Sequence, residues 1–284
     1  MSGAAGIRGV PGESELATRL ELALERGGLS LFYQPKIHLR TGALAGVEAL
    51  ARWRDPDLGQ VPPSSFVAVA ELFGLIDALT EWVLKEALRQ WTMWAEQGLK
   101  VHMSVNVSAL SLRDPWLPDY LHRSCAQAGV PCDQLTVEVT ESATQHIVRL
   151  LQTLSRLRLK GIGIALDDFG TGYSSLLQLR QLPYSELKVD QAFVREATSS
   201  REARVIVKAV IDLAHGLGLI ATAEGVEDME TLELMRDLGC DDAQGYLLAK
   251  PLPGQALAEW VLGEGPRWRS ACGGAGEAMP SCPT

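Results

Sequence analysis

Seven apolar runs in this chain each end on a residue that can bind a cation or handle a proton. Glu48 follows LAGV, and Asn106 stands in SVNVS. Glu138, with Glu141 just beyond, lies in VEVTES. Asp167 and Asp168 close GIALDD, and Lys188 and Asp190 lie in LKVD. Glu224, with Glu227 after it, lies in AEGVE, and Gln244 in AQGY. Carboxylates gathered in one place repel one another unless cations neutralise them. An all-oxygen donor set of Asp, Glu and Asn suits hard octahedral ions, Mg²⁺ or Mn²⁺. The adjacent Asp167-Asp168 pair suits the bridging of two ions, and two divalent ions about 3.5–4 Å apart are the usual apparatus of phosphodiester hydrolysis. Lys188 would orient a water or accept its proton. Carboxylates favour its charged form and cations its neutral form, so the sequence leaves that state open. Taken singly, each residue is ordinary: a strand-end Glu is solvated, an Asn makes a turn, a Lys pairs with an acid. Their recurrence at successive run ends argues for one site.

Such residues meet only if the runs are strands whose ends share a rim. Apolar, β-branched or aromatic runs fall near 30–37, 43–50, 101–107, 134–140, 162–167, 186–190, 218–223 and 242–247. Helical spacing fills most gaps: 78–97, 142–160, 203–216 and 228–238 carry apolar residues at i, i+3, i+4 and i+7, with Gly98, Gly161 and Gly239 at helix ends. Ser14 is placed to cap a helix carrying Leu16, Leu20 and Leu24. Strands alternating with helices predict an α/β fold, a TIM-like (β/α)₈ barrel with its active site at the C-terminal strand ends. Thr41-Gly42 between the first two runs reads as a hairpin, which makes the first strand antiparallel to its neighbour. The domain is expected over residues 15–263, between flexible segments 1–14 and 264–284. After Asp168 comes FGTGYSSL, a loop rich in glycine and hydroxyl groups and able to close over a metal site.

Composition removes other classes. The 284 residues carry a net charge of −9 and no Lys/Arg cluster, which argues against a duplex-binding surface. The cysteines, at 125, 132, 240, 272 and 282, are odd in number and lack zinc-finger spacing, which points to a reducing cytosol. No signal peptide or membrane-length apolar stretch is expected. An enolase-like Mg²⁺ enzyme would share the barrel and the carboxylates, without the DDFGTGYSS loop.

The motifs resemble the EAL-domain cyclic di-GMP phosphodiesterases. Glu48-Ala49-Leu50 supplies the naming triplet, and the likeness runs from FYQPK at 32–36 through NVS, EVTES, DDFGTGYSSL, LKVD and EGVE to QGYLLAKPLP at 244–253. The resemblance implies hydrolysis of cyclic di-GMP to linear 5′-pGpG with two Mg²⁺ or Mn²⁺ ions, Ca²⁺ being inhibitory. It implies that Glu48, Asn106, Glu138 and Asp167 bind the first ion, with Asp167 bridging to a second near Asp168 and Glu224. Lys188 would help activate the water, and Glu141 would anchor the DDFGTGYSS loop. Gln34, Leu50, Arg52, Asp190, Glu227, Gln244 and Pro251 fall to the substrate side, Arg52 at a phosphate and Glu227 and Pro251 by a guanine. A homodimer formed beside that loop is implied, with regulatory domains outside this chain. A catalytically silent cyclic di-GMP receptor is the alternative, and the filled ligand set speaks against it. Ala51 and Leu72-Phe73 depart from the family's habit, and Phe73 is expected near the mouth or on a partner surface.

Overall fold

In the computed structural model, residues 12–140, 147–170 and 176–263 are described. Helix α1 (Glu13–Arg26) precedes strand β1 (Leu29–His38), and the hairpin expected at Thr41-Gly42 returns the chain as β2 (Leu44–Asp55). Gly42 has φ 65°, and its N–H bonds the His38 carbonyl at 2.8 Å. There follow β3 (Gly59–Val61), α2 (Pro63–Leu72), α3 (Ile76–Glu96), β4 (Met103–Asn106), α4 (Leu117–Ala128), β5 (Leu135–Thr140), α5 (Ile147–Leu159), β6 (Gly163–Phe169) and α6 (Leu176–Gln181). The chain continues with β7 (Glu186–Val189), α7 (Gln191–Glu196), α8 (Arg201–Gly216), β8 (Ile220–Ala223), α9 (Met229–Asp237), β9 (Asp242–Gln244), β10 (Leu252–Pro253) and α10 (Gly254–Leu262).

Strands β1, β2, β4, β5, β6, β7, β8 and β9 close into a ring. Only β1 runs against both ring neighbours, and the other ring pairings are parallel. The register puts Gln34 opposite Glu48 and Asn106 beside Glu138. Parallel strands covered by helices are buried on both faces, so their apolar runs are nearly unbroken. Accordingly, Leu135 to Val139 are all buried. The long helix α3 turns Leu84, Ala87, Leu88 and Trp91 inward. Its indoles bond distant carbonyls: Trp91 donates to Val101 at 2.7 Å and Trp94 to Gly254 at 3.0 Å. No described helix is long and apolar enough to cross a membrane.

Several bounds differ from expectation. Helix α1 follows Gly12 without a side-chain cap, and Ser14 lies inside it. Glu13 and Glu15 in its first turn favour the positive helix end. Strand β2 extends five residues past Leu50 because β3 pairs with Trp53, Arg54 and Asp55. Asp55 fixes that hairpin, its Oδ1 accepting from the Asp57 and Leu58 amides at 2.8 and 2.9 Å. The last ring strand stops at Gln244 instead of 247, since Gly245 turns against the loop after β8. Helices α2, α4, α6, α7 and α10 had not been foreseen. Leu72 and Phe73, at the end of α2, are 64% and 43% exposed.

Candidate active site at the barrel rim

The rim gathers around one ammonium group. Lys188 on β7 is wholly buried, and its Nζ lies 2.7 Å from Glu224, 2.8 Å from Glu138, 3.1 Å from Asp167 and 3.6 Å from Glu48. Asn106 Nδ2 donates to Glu48 Oε1 at 2.7 Å, and Gln244 Nε2 donates to Glu48 Oε2 at 2.7 Å. Gln244 also donates to Gln34 Oε1 at 3.1 Å, and Gln34 in turn to the Ala249 carbonyl at 3.2 Å. Residues from seven strands, some 200 positions apart in the chain, are thus joined in one network.

Backbone irregularity aims the paired aspartates. The β6–β7 register shifts between Leu166 and Phe169, and Asp168 adopts φ 56°, a left-handed conformation that non-glycine residues rarely hold. A regular strand would send Asp167 and Asp168 to opposite faces. With the shift, one oxygen each of Asp167, Asp168 and Glu224 lies within 4.8 Å of the others. Glycines allow the neighbouring loops to close. A Cβ on Gly245 would stand 2.0 Å from the Val226 carbonyl oxygen, so the step after Gln244 admits no side chain.

The electrostatics show a shortage of positive charge. Burial alone would depress the Lys188 amine, but the surrounding carboxylates outweigh it and raise its pKa well above the ordinary value. Burial raises Glu48 and Asp167, and neighbouring acids raise them further, despite Lys188. Glu224 is pushed up to about 8, first by burial. Asp168 reaches about 6 through burial, then the charges of Asp167 and Asp190. Burial would raise Glu138 too, but Lys188 and Lys36 together hold it below its usual value. Gln244 Oε1 is buried without a hydrogen-bond partner among the described residues. Crowded acids, oxygen donors and a bare acceptor fit divalent cations.

Two cavities open onto this centre. The larger, about 590 Å³, is lined by Leu50, Arg52, Phe66, Asn106, Glu138, Asp167 and Asp168. The smaller, about 190 Å³, is lined by Gln34, Glu48, Leu50, Arg195, Glu224, Glu227 and Gln244. Leu50 borders both. Arg52 donates to the Ala51 carbonyl at 2.9 Å, and Glu227 pairs with Arg195 at 2.5 Å. Asp190, expected on the substrate side, caps α7 by accepting from Ala192 N at 2.8 Å, and its charge helps to raise Asp168. Pro251 is half-buried just before β10. Glu141 and loop residues 171–175 lie outside the described residues. Sequence reasoning missed Arg195 and the pair in which Ser108 donates to Glu71 Oε1 at 2.6 Å. Glu71 and Arg195 stand on helices and Ser108 lies past the end of β4, so none of them closes a ring strand.

Residues 17–251 match the EAL domain family. The chain is 39% identical to the oxygen sensor protein DosP of Escherichia coli over 87% of its length and 31% of that relative's. It is 40% identical to the cyclic di-GMP phosphodiesterase PA2567 of Pseudomonas aeruginosa, covering 82% of this chain and 40% of the relative. It thus spans less than half the length of these relatives. A solved structure described as the PaMucR phosphodiesterase in complex with c-di-GMP superposes with a TM-score of 0.81 at 41% identity, over 86% of this chain and 99% of that one. The chain belongs to the EAL domain family.

Proposed function

We propose that this chain is a Mg²⁺- or Mn²⁺-dependent phosphodiesterase that opens cyclic di-GMP to linear 5′-pGpG. The observation that carries the reading is the two-lobed cleft. The carboxylates around Lys188 are divided between two cavities that share Leu50. A cyclic dinucleotide has the matching form, two bases on either side of a phosphodiester.

In this reading Glu48, Asn106, Glu138 and Asp167 would hold one cation, and Asp168 and Glu224, beside Asp167, would hold the other. Such ions, when bound, neutralise phosphate charge and acidify a water to hydroxide near neutral pH. The chain supplies the rest. Lys188, whose Nζ lies within 3.6 Å of Glu224, Glu138, Asp167 and Glu48, is placed to hydrogen-bond the attacking water and fix its line to phosphorus. The water's oxygen adds to phosphorus as the P–O3′ bond breaks, and the proton the water gives up is made good, through solvent, on the freed 3′ oxygen. Arg52 exchanges its bond to the Ala51 carbonyl for the phosphate, where a guanidinium donates in bidentate fashion. Gln34, Leu50, Glu227 and Pro251 border the bases. Gln244 holds Glu48 in place, and Asp190 acts through Asp168. Glu141 is assigned to anchoring the loop after Asp168, and a cytoplasmic homodimer is the proposed working form.

The test is chromatography of the products after incubating purified chain with cyclic di-GMP. We expect pGpG with Mg²⁺ or Mn²⁺ and none with EDTA. Nucleotide retained unchanged after prolonged incubation with Mn²⁺ would make the chain a receptor instead.

A further inference from the structure

Below the rim lies a second polar layer. A strand repeats its facing every two residues, so a residue two before a rim residue points into the same barrel interior, one layer deeper. Those positions include Ser104 before Asn106, Thr136 before Glu138, Glu186 before Lys188, Thr222 before Glu224 and Asp242 before Gln244, the last a buried carboxyl that also feels Lys36 and Glu186. Into this layer the antiparallel strand β1 inserts Lys36, only 2% exposed. Lys36 Nζ binds both oxygens of Glu186, at 2.8 and 3.0 Å, and Ser104 Oγ at 3.2 Å. Thr222 donates to Glu186 Oε1 at 2.7 Å. A buried ion pair is seldom more stable than the apolar residues that would fit its place, so stability alone does not account for the layer.

Its geometry does. Glu138 is 1% exposed and lies between two ammonium groups. Lys188 holds Oε2 at 2.8 Å, and Lys36 faces Oε1 at 3.8 Å. Oε1 makes no direct hydrogen bond among the described residues; Lys36 is the cation that faces it, and Ser104, which accepts from Lys36 Nζ, lies near enough to favour the Glu138 charge. Lys36 cannot follow Glu138 if that side chain moves, because Glu186 and Ser104 hold it.

We propose that Lys36, fixed by Glu186, is a positioning residue that sets the Glu138 carboxylate for metal binding from beneath. The inference rests on the metal-dependent reading of the rim. Residues that orient a metal ligand typically contribute about 10–100-fold to metal affinity or activity.

The test is titration of the purified chain with Mn²⁺ alone, following free Mn²⁺ by electron paramagnetic resonance, with melting temperature measured alongside. Lys36→Met strands the Glu186 charge and lowers both melting temperature and Mn²⁺ affinity. Lys36→Met/Glu186→Gln removes one charge of each sign. It restores the melting temperature but leaves Mn²⁺ affinity about 10–100-fold below wild type. Turnover falls with it, without a matching change in KM for cyclic di-GMP. Wild-type or tighter Mn²⁺ binding by the double variant overturns the proposal, as does a double variant that fails to fold, which would make the pair a folding requirement. If the wild-type chain itself binds no Mn²⁺, the failure belongs to the functional reading.

Discussion

Lys188→Met tests the charge balance of the rim directly. Methionine nearly fills the lysine's space, so the loss is chiefly of one positive charge among Glu48, Glu138, Asp167 and Glu224. A pair about 3 Å apart attracts by about 5 kcal/mol at an effective dielectric near 20. Part of that is offset by the cost of burying the amine, and removing one partner of a buried pair typically costs about 3–5 kcal/mol. At about 2–4 °C per kcal/mol, the variant should melt about 10 °C below wild type in EDTA. The direction with pH follows from the carboxylates. Glu48, Asp167 and Glu224 already have raised pKa values in the folded chain, and without Lys188 they rise further. A raised carboxyl costs stability as pH climbs through its folded pKa, so the gap to wild type is widest under alkaline conditions and narrows on acidification. Mn²⁺ should narrow it too, since carboxylates freed of Lys188 bind the cations more tightly in the variant; each tenfold advantage in Kd narrows the gap by about 1.4 kcal/mol at saturation. Turnover should stay about 10²–10⁴-fold down even in saturating Mn²⁺, because the ion restores charge and not the donor. Differential scanning fluorimetry across pH, with EDTA or Mn²⁺, reads the first effects and product chromatography the last. Equal melting of variant and wild type in alkaline EDTA, or a gap indifferent to both pH and Mn²⁺, would refute the reasoning.

Three further outcomes are expected. Asp55→Ala should cost about 2–3 kcal/mol near neutral pH in urea unfolding, because the carboxylate accepts two amides and pairs with Arg19 at 3.1 Å. Burial opposes ionisation there, but these partners hold the Asp55 carboxyl below its ordinary value, so the difference from wild type fades as pH falls through that lowered pKa. Gly245→Ala should abolish most turnover with a smaller loss of melting temperature, as the new Cβ drives the Gln244 strand end away from Val226. Ca²⁺ should leave cyclic di-GMP bound but largely uncut, its larger and looser shell placing the water poorly; full turnover in Ca²⁺ alone would contradict this.

The rim was legible because a polar residue that ends an apolar run is conspicuous. Glu48, Asn106, Glu138, Asp167 and Lys188 each stand out in that way, and ring closure then brings them together. The limits of that signal are equally physical. Asp190 ends a run as well, and its side chain turns to cap α7, a choice set by the helix that follows. Arg195 and Glu71 reach the cavities from helices, where no strand end announces them. The segment from Ala51 to Asp77 went unassigned because β2 passes its polar tip without a break and α2 opens on Pro62-Pro63-Ser64 rather than on an amphipathic pattern. The deeper layer presents a different case. Lys36 and Glu186 are 150 residues apart, so no local window links them. The alternation that aims the rim nevertheless carries the information. If Lys188 and Glu224 point inward, Glu186 and Thr222 must do so as well, and a carboxylate sealed inside a barrel requires a cation. The one lysine on a ring strand without a rim role is Lys36, and it stands on β1, the strand that runs against the others. Reversing that strand lets a residue beside Gln244 in register, rather than two before a rim position, supply the missing charge.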